Sequence, residues 1–463
     1  MAHDSAPGHK ADASPDAPAG GAVRPFEVTN RTVLAIAVPM TLAYLSTPLL
    51  GLIDTAVIGQ LGDAALLGGI ALGGVLFDLV FTSFNFLRSG TTGLTAQAVG
   101  ADEHEEERAV LLRAQVLAAS LGIALAALSL PLLTAGLWLM GGSAEVQAAT
   151  ATYFTVRVLS APMALANYAF LGWFIGRGQA MTALALQTGL NGINIALSVA
   201  FVLVFDWGVA GVAAATVVAE ATACLAGAAI ALAILRGAPL PSRARLFDRQ
   251  KFRRMMALNG DIMIRSFSLI AAFGFFYSRS AAQGDTVLAA NAVLEKLFMV
   301  ASFFLDGLAT AAEQLSGRAV GARYRPAFDR SLKLSLLWGY VLAGLLALVF
   351  LTMGPLLIET ITTAQDVRET AEAYLPWAAA TPLLGVLAFQ MDGVFIGATW
   401  SRDMRNMMLV SLVGFLAAYA IAFPLLGNHG LWLAFAIFLA MRGFSLLAIT
   451  PRRAAATFPR APG

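Results

Sequence analysis

Carboxylates inside long apolar runs are the residues of this chain best placed to do chemistry. Asp54 stands near the end of the run 33–57, which holds no basic residue. A carboxylate withdrawn from water is costly to keep ionised, so it exchanges protons or cations with functional effect. Pro39 and Pro48 interrupt the same run, and each removes a backbone hydrogen bond and weakens the helix. A bendable helix with a titratable group outlines a mechanism: loading Asp54 alters the local charge, and the weakened helix repacks. The alternative for the prolines is shape alone.

Other polar groups line up by helical period. Glu295, Asp306 and Glu313 recur on the eighth apolar run at spacings that, at about 100° per residue, return them to within about 20° of one face. Asp78, Thr82, Asn85 and Ser89 share one face, as do Gln187, Asn191, Asn194 and Ser198; Thr216 and Glu220 form an i, i+4 pair, and Asp392 is isolated. Such stripes either line a wet cavity or hydrogen-bond neighbouring helices. Asp261 and Arg265, one helical turn apart, are expected to pair with each other. Arg88 is expected to snorkel to the membrane edge, and Glu313 to be solvated near an interface.

The elements that must hold these residues are membrane spans. Of 463 residues, 58% are hydrophobic and only 13% charged, too little polar surface for a soluble enzyme or a disordered chain. Apolar runs of the ~20 residues that cross a bilayer occur at 33–57, 65–88, 109–139, 147–174, 181–205, 208–235, 258–281, 286–312, 331–356, 372–398, 405–427 and 430–450. The segment 236–254 alone carries Arg236, Arg243, Arg245, Arg249, Lys251, Arg253 and Arg254, whereas only Arg279 and Arg368 fall in loops of the opposite side. That asymmetry puts both termini in the cytoplasm, and the fold class is an all-α polytopic membrane protein.

Several chemistries have no support. No Gly-rich run precedes any of the four Lys as a phosphate loop requires, and the four His (His3, His9, His104, His429) and the single Cys224 are scattered. No metal site by His/Cys spacing, no organic cofactor, no nucleophilic dyad and no nucleic-acid partner follows from such a set. An enzyme is not expected.

The basic segment lies mid-chain, and the two sides of it are related. Gln97-Ala98-Val99-Gly100-Ala101 returns as Arg318-Ala319-Val320-Gly321-Ala322, and Phe174-Ile175-Gly176 returns as Phe395-Ile396-Gly397 at the same offset. Gly172 and Tyr153 find Gly393 and Tyr374 at that offset too. The organisation expected is a disordered tail 1–30, an N-lobe 31–236, a basic linker 237–255, a C-lobe 256–452 and a tail 453–463. The lobes should be related by an axis along the membrane normal, with a cavity where they meet.

Three segments carry a family resemblance. Asp54-Thr55-Ala56-Val57-Ile58-Gly59-Gln60-Leu61-Gly62 resembles the end of the first span in MATE (multidrug and toxic compound extrusion) transporters. Phe86-Leu87-Arg88-Ser89-Gly90-Thr91-Thr92-Gly93-Leu94-Thr95-Ala96-Gln97 and Asp392-Gly393-Val394-Phe395-Ile396-Gly397-Ala398-Thr399 are similar to its DNA-damage-inducible protein F (DinF) branch. The resemblance spans about 30–450. It implies two six-helix lobes around a V-shaped cavity, and export driven by inward H⁺ or Na⁺ flow. It also implies Asp54 as the ion-coupling carboxylate, Pro39 at the helix bend, and Asn194 and Thr216 as polar partners. Ser198 stands where the family often has an Asp, so a Na⁺ site at Asp54, Asn194 and Thr216 lacks one anionic oxygen, and H⁺ is favoured as the driving ion.

The expected function is therefore an inner-membrane antiporter exporting organic compounds, acting as a single chain among membrane lipids. Phe77, Asp78, Phe81, Phe84, Asn85, Glu295, Asp306 and Asp392 are the candidate cavity residues. With Glu220, the acids among them favour cationic or polar-aromatic substrates, although Arg88 and Lys296 could neutralise part of the lining. The alternative is a flippase for a lipid or lipid-linked precursor, which would need cations such as Arg157 and Arg265 at a lateral portal.

Overall fold

The computed structural model describes residues 23–458. Among the described residues, twelve helices are long and apolar enough to cross a membrane: Asn30–Gly59, Ala64–Gly100, His104–Ala127, Ala144–Gly176, Ala180–Val204 and Gly208–Ile234 in the first half, then Arg243–Ala281, Asp285–Gly321, Arg325–Ile361, Gln365–Gly397, Ser401–Leu426 and Asn428–Thr457 in the second. They are called here the first to twelfth spans. Their outer surfaces are apolar, with Leu232, Leu425 and Leu139 each more than two-thirds exposed. Only a hydrocarbon solvent tolerates such a surface, and only helices satisfy every backbone group within it. Side-chain caps begin several spans: the Thr29 hydroxyl accepts from the Thr32 N–H (3.2 Å) and the Asp63 carboxylate from Ala65 (2.8 Å), filling donors that a helix start leaves open.

The duplication read from sequence extends to the architecture. Helix starts Ala64 and Asp285, His104 and Arg325, Ala144 and Gln365, Ala180 and Ser401 all keep the offset of the repeated motifs, as do the ends Gly100 and Gly321. The left-handed turn residues Asp102 and Arg323 keep it as well. So do tertiary contacts. A Cβ on Gly172 would strike the carbonyl of Arg88, and one on Gly393 the carbonyl of Ala309. Backbones that approach this closely require the missing side chain, as is usual between membrane helices.

The lobes are zipped together at the end of the bundle that carries Arg24 and Phe458. There the repeated motifs meet each other: a Cβ on Gly100 would strike the Arg318 carbonyl, and one on Gly321 the Gln97 carbonyl. Gln97 Nε2 donates to the Gly397 carbonyl (2.8 Å), Arg254 donates to Gln97 Oε1 and Thr399 Oγ1 (both 2.9 Å), and Gln314 Nε2 donates to the Gly176 carbonyl (3.4 Å). Higher in the seam the Tyr44 hydroxyl meets Thr310 Oγ1 at 2.9 Å. The linker is pinned to the first half, with Lys251 Nζ 2.6 Å from Glu106 and Arg113 donating to the carbonyls of Leu246 and Arg245.

The halves differ in continuity. In the first half, the second span is broken between Thr82 and Phe86, and the third span ends at Ala127 before a separate helix Ser129–Met140. The fourth tightens over Val158–Ser160, and the fifth ends in a widened turn in which the Phe205 N–H reaches the Ala200 carbonyl (3.1 Å). The corresponding eighth to eleventh spans run unbroken.

Several expectations need correction. The run 109–139 is two helices, because hydropathy sees composition and not the backbone break at Leu128. The second and eighth spans continue to Gly100 and Gly321, so Arg88 is deep in its span rather than snorkelling, and Glu313 is 3% exposed rather than solvated. Residues 1–22 of the expected tail, with His3 and His9, lie outside the described residues. Residues 23–29 form no regular element but are docked: Val28 is buried, the Arg24 N–H donates to the Ala322 carbonyl (3.0 Å), and Arg318 lies over Phe26. At the other end the twelfth span runs on to Thr457, into the expected tail.

Candidate functional site

Two polar clusters lie within the apolar bundle. The first is in the N-lobe. Asp54 projects from the first span, one turn and a half past Pro48, whose missing N–H leaves the Tyr44 carbonyl without its helical donor. Asp54 is 8% exposed. Its Oδ1 lies 2.9 Å from Ser198 Oγ, which is also 3.1 Å from Asn194 Oδ1. Asn194 Nδ2 donates to Thr216 Oγ1 (3.1 Å), and Thr216 donates to the Val212 carbonyl (3.2 Å). Three spans are thus joined by one chain of hydrogen bonds through Asp54, Ser198, Asn194 and Thr216. Asn191, one turn before Asn194, donates to Ser46 Oγ (2.7 Å) and ties the first and fifth spans again.

Around this chain stand further charges. Asp78 is exposed on the second span, and Glu220 on the sixth accepts from Asn167 Nδ2 at 2.6 Å. Arg157, the last residue before the tightened turn of the fourth span, faces Asp54, Asp78 and Glu220 electrostatically. Its guanidinium bonds to the Tyr153 hydroxyl and lies 4.5 Å from the centre of the Phe77 ring. Phe77 is itself 2% exposed, stacked on Phe81 at 4.8 Å and packed on Phe154. It backs the wall, whereas Phe81 and Phe84 are half-buried. Asn85 sits at the break of the second span and accepts from Arg88 Nε at 3.0 Å.

The second cluster lies in the C-lobe and reaches the lobe interface where Arg88 of the second span faces it. Asp392 Oδ2 receives both Arg265 Nη1 and Arg442 Nη2, each at 2.8 Å. Asp261 instead pairs with Arg405 Nη1 (2.6 Å) and accepts from the Ser401 hydroxyl (2.7 Å). The expected Asp261–Arg265 pair is therefore not formed: each residue takes a partner on another span, where buried opposite charges also need one. Arg442 was not singled out in the sequence; an isolated arginine in the last apolar run, able to answer the isolated aspartate of the tenth, was the available signal. Arg88 faces Asp306 and Glu313 and lies 5.5 Å over the Tyr44 ring. Glu295 stands apart, accepting from the Tyr277 hydroxyl at 2.9 Å. Removing one member of such a buried set leaves its partners uncompensated, at a cost of about 3–5 kcal/mol. Asp392→Ala is accordingly expected to destabilise the protein by about that amount, read as a lowered melting temperature in detergent. Unchanged melting would show that the two arginines do not depend on it.

Chemically, the N-lobe chain can hold or release one proton or small cation at Asp54, and the interface cluster is a charge-balanced joint. Among the described residues, no group of three or more His, Cys, Asp and Glu side chains is arranged to hold a metal ion.

Comparison with known proteins agrees with this geometry. The family model MatE matches residues 39–200 and 263–423, one segment in each lobe. The chain is 38% identical over 425 residues to DNA damage-inducible protein F of Escherichia coli, covering 92% of both chains. It is 30% identical to a probable multidrug resistance protein NorM of Deinococcus radiodurans, covering 90% of this chain and 94% of that one. Among solved structures, a MOP superfamily transporter from Pyrococcus furiosus superposes with a TM-score of 0.85 at 17% identity, over 93% of this chain and 97% of that one. A multidrug resistance MATE family transporter in an outward-facing conformation superposes at 0.81 and 20% identity, over 92% and 96%. With its two six-helix lobes and a family match in each, the chain belongs to the MATE family of multidrug and toxic compound efflux transporters.

Proposed function

We propose that this protein is a proton-coupled antiporter that exports small organic compounds across the inner membrane by alternating access. The excess of Arg and Lys at the zipped end makes that end cytoplasmic. With that orientation, the Gly100–Gly321 seam closes the protein toward the cytoplasm, which supports reading this conformation as the outward-facing state of the cycle.

The observation that carries the choice of ion is a count of protons in the N-lobe chain. Ser198 has one hydroxyl proton and two acceptors in reach, Asp54 Oδ1 and Asn194 Oδ1. With Asp54 ionised, the hydroxyl turns to the carboxylate and Asn194 Oδ1 goes without a donor. With Asp54 protonated, its O–H donates to Ser198 Oγ, and the Ser198 hydroxyl turns to Asn194. Every link from Asp54 to the Val212 carbonyl is then filled. Buried acceptors without donors are costly, so a proton completes the network that ties the first span to the fifth and sixth. An Asp at 198 would supply a second anionic oxygen for Na⁺; a Ser supplies a relay for H⁺.

In this cycle, a proton arriving from outside at Asp54 favours substrate release, the lobes rock, and the proton leaves to the cytoplasm. Coupling requires that proton and substrate stabilise different states. For the substrate, exposed Asp78 beside the half-buried rings of Phe81 and Phe84 suits an organic cation with aromatic character. The C-lobe adds less negative charge than its acids suggest, since two arginines hold Asp392.

Ser198→Ala tests the relay. It removes the shared hydroxyl and leaves Asp54 in place, so ethidium efflux from proteoliposomes under an imposed pH gradient should fall about ten- to hundredfold, the weight of one hydrogen bond to a charged group. Full gradient-driven efflux by this variant would remove the relay and the argument for H⁺.

A further inference from the structure

Arg157 is a cation within electrostatic reach of three acids that makes an ion pair with none of them. It faces Asp54 of the first span, Asp78 of the second and Glu220 of the sixth, together with Tyr153 and Tyr168 of its own span. What fixes its position is neutral: the Tyr153 hydroxyl and the face of Phe77. A cation–π contact of this kind holds a guanidinium without discharging any carboxylate. Three acids on neighbouring spans of one lobe would otherwise attract a mobile cation, because charge interactions are strong where water is scarce. The guanidinium supplies one fixed positive charge within reach of Asp54, and it cannot lose its proton.

The internal duplication provides a control within the same molecule. At the offset of the repeat, Asp54, Asp78, Arg157 and Glu220 correspond to Phe275, Met299, Ala378 and Met441. The C-lobe counterparts of Asn194 and Ser198 are Phe415 and Tyr419, whose rings pack against Phe275 at 5.5 and 4.9 Å. The arginine and its three acids are present together in one lobe and absent together in the other. A half-buried arginine serving helix packing alone would have no reason to follow the acids. The break in the fourth span follows Arg157 directly, and the matching tenth span is unbroken.

We propose that Arg157 is the resident counter-cation of the N-lobe chamber, the residue that excludes Na⁺ from Asp54 and confines coupling to protons. The inference rests on the proton-coupled reading above and names the residue that sets its ion selectivity. A proton and Na⁺ each add one positive charge beside the guanidinium, but the proton forms a covalent bond to one carboxylate oxygen and needs no further ligand, whereas Na⁺ needs several oxygens around it and must gather them beside a fixed cation. Arg157 acts through Asp54 and is a positioning residue.

The test is ²²Na⁺ binding to the full chain purified in detergent. The wild type should bind weakly or not at all. Arg157→Gln should bind at least about tenfold more tightly, the scale of one charge removed at close range, and Asp54→Asn added to it should abolish the gain. Arg157→Lys, which keeps the charge, should behave as the wild type; a role in packing alone would not sort Gln from Lys in this way. Equal Na⁺ affinity in the wild type and Arg157→Gln overturns the proposal, as does loss of exclusion in Arg157→Lys. Should Arg157→Gln fail to fold, Na⁺ binding by the wild type or by Arg157→Lys is enough to overturn it. Absence of proton-driven ethidium movement in wild-type vesicles would instead remove the functional reading and leave the Na⁺ comparison standing.

Discussion

Asp54→Asn is expected to abolish proton-driven export while leaving the protein folded. Asparagine is nearly isosteric and can still accept the Ser198 hydroxyl that now lies 2.9 Å from Asp54 Oδ1. What it cannot do is alternate between charged and neutral forms. The hydrogen-bond chain through Asn194 and Thr216 is then held in one pattern, and the pH gradient has nothing to act on. Coupling free energies of about 1–3 kcal/mol correspond to factors of about 5–150, so efflux under an imposed pH gradient should drop by about a hundredfold, to the level of empty vesicles. Melting temperature and elution volume should match the wild type. Gradient-driven efflux at the wild-type rate would take Asp54 out of the mechanism.

The second large effect is expected at the seam. Gly321→Val places a side chain where the Gln97 carbonyl already sits, with no flexible neighbour to give way. Overpacking a close backbone contact costs about 1–3 kcal/mol, and here the cost falls only on the state in which the lobes are zipped. The variant should therefore favour the opposite, inward-open state by about 5–150-fold. Ala96, fully buried against the eighth span, reports the shift: a cysteine there, with Cys224 replaced by Ser, should resist maleimide in the wild type. In Gly321→Val it should label readily, and transport should collapse with it. Continued protection of residue 96 would show that the seam tolerates the added side chain.

Much of the molecule was legible because membrane spans announce themselves by composition. Twelve runs, their order and the internal repeat could all be read, and the residues carrying the repeat, Gly100 and Gly321, are the ones that meet across the seam. What could not be read were properties of pairing between distant segments. Asp261 and Arg265 are one turn apart, the usual geometry for a helical ion pair, yet each finds a better-placed opposite charge on another span. Arg442 has no periodic signal at all, because its meaning lies in Asp392, two spans earlier in the chain. Glu313 and Arg88 were misplaced for a simpler reason. Small and hydroxylated residues at 89–100 lower hydropathy without ending the helix, so the span runs on past its apolar stretch to Gly100. On the N-lobe side, family resemblance pointed to Asn194, Ser198 and Thr216. The role of Arg157 came from its surroundings, which no local pattern encodes.

The uneven continuity of the two halves has a mechanical consequence. Descended from one ancestral unit, they no longer share its stiffness. The second half is cross-braced by Asp392, Arg265 and Arg442 and its eighth to eleventh spans stay continuous despite Pro355, Pro376, Pro382 and Pro424, whereas a half whose second, third, fourth and fifth spans each change or break their helix offers four joints beside its titratable aspartate. In the proposed cycle, bending is expected to concentrate at these joints of the first half, with the second half as the firmer support.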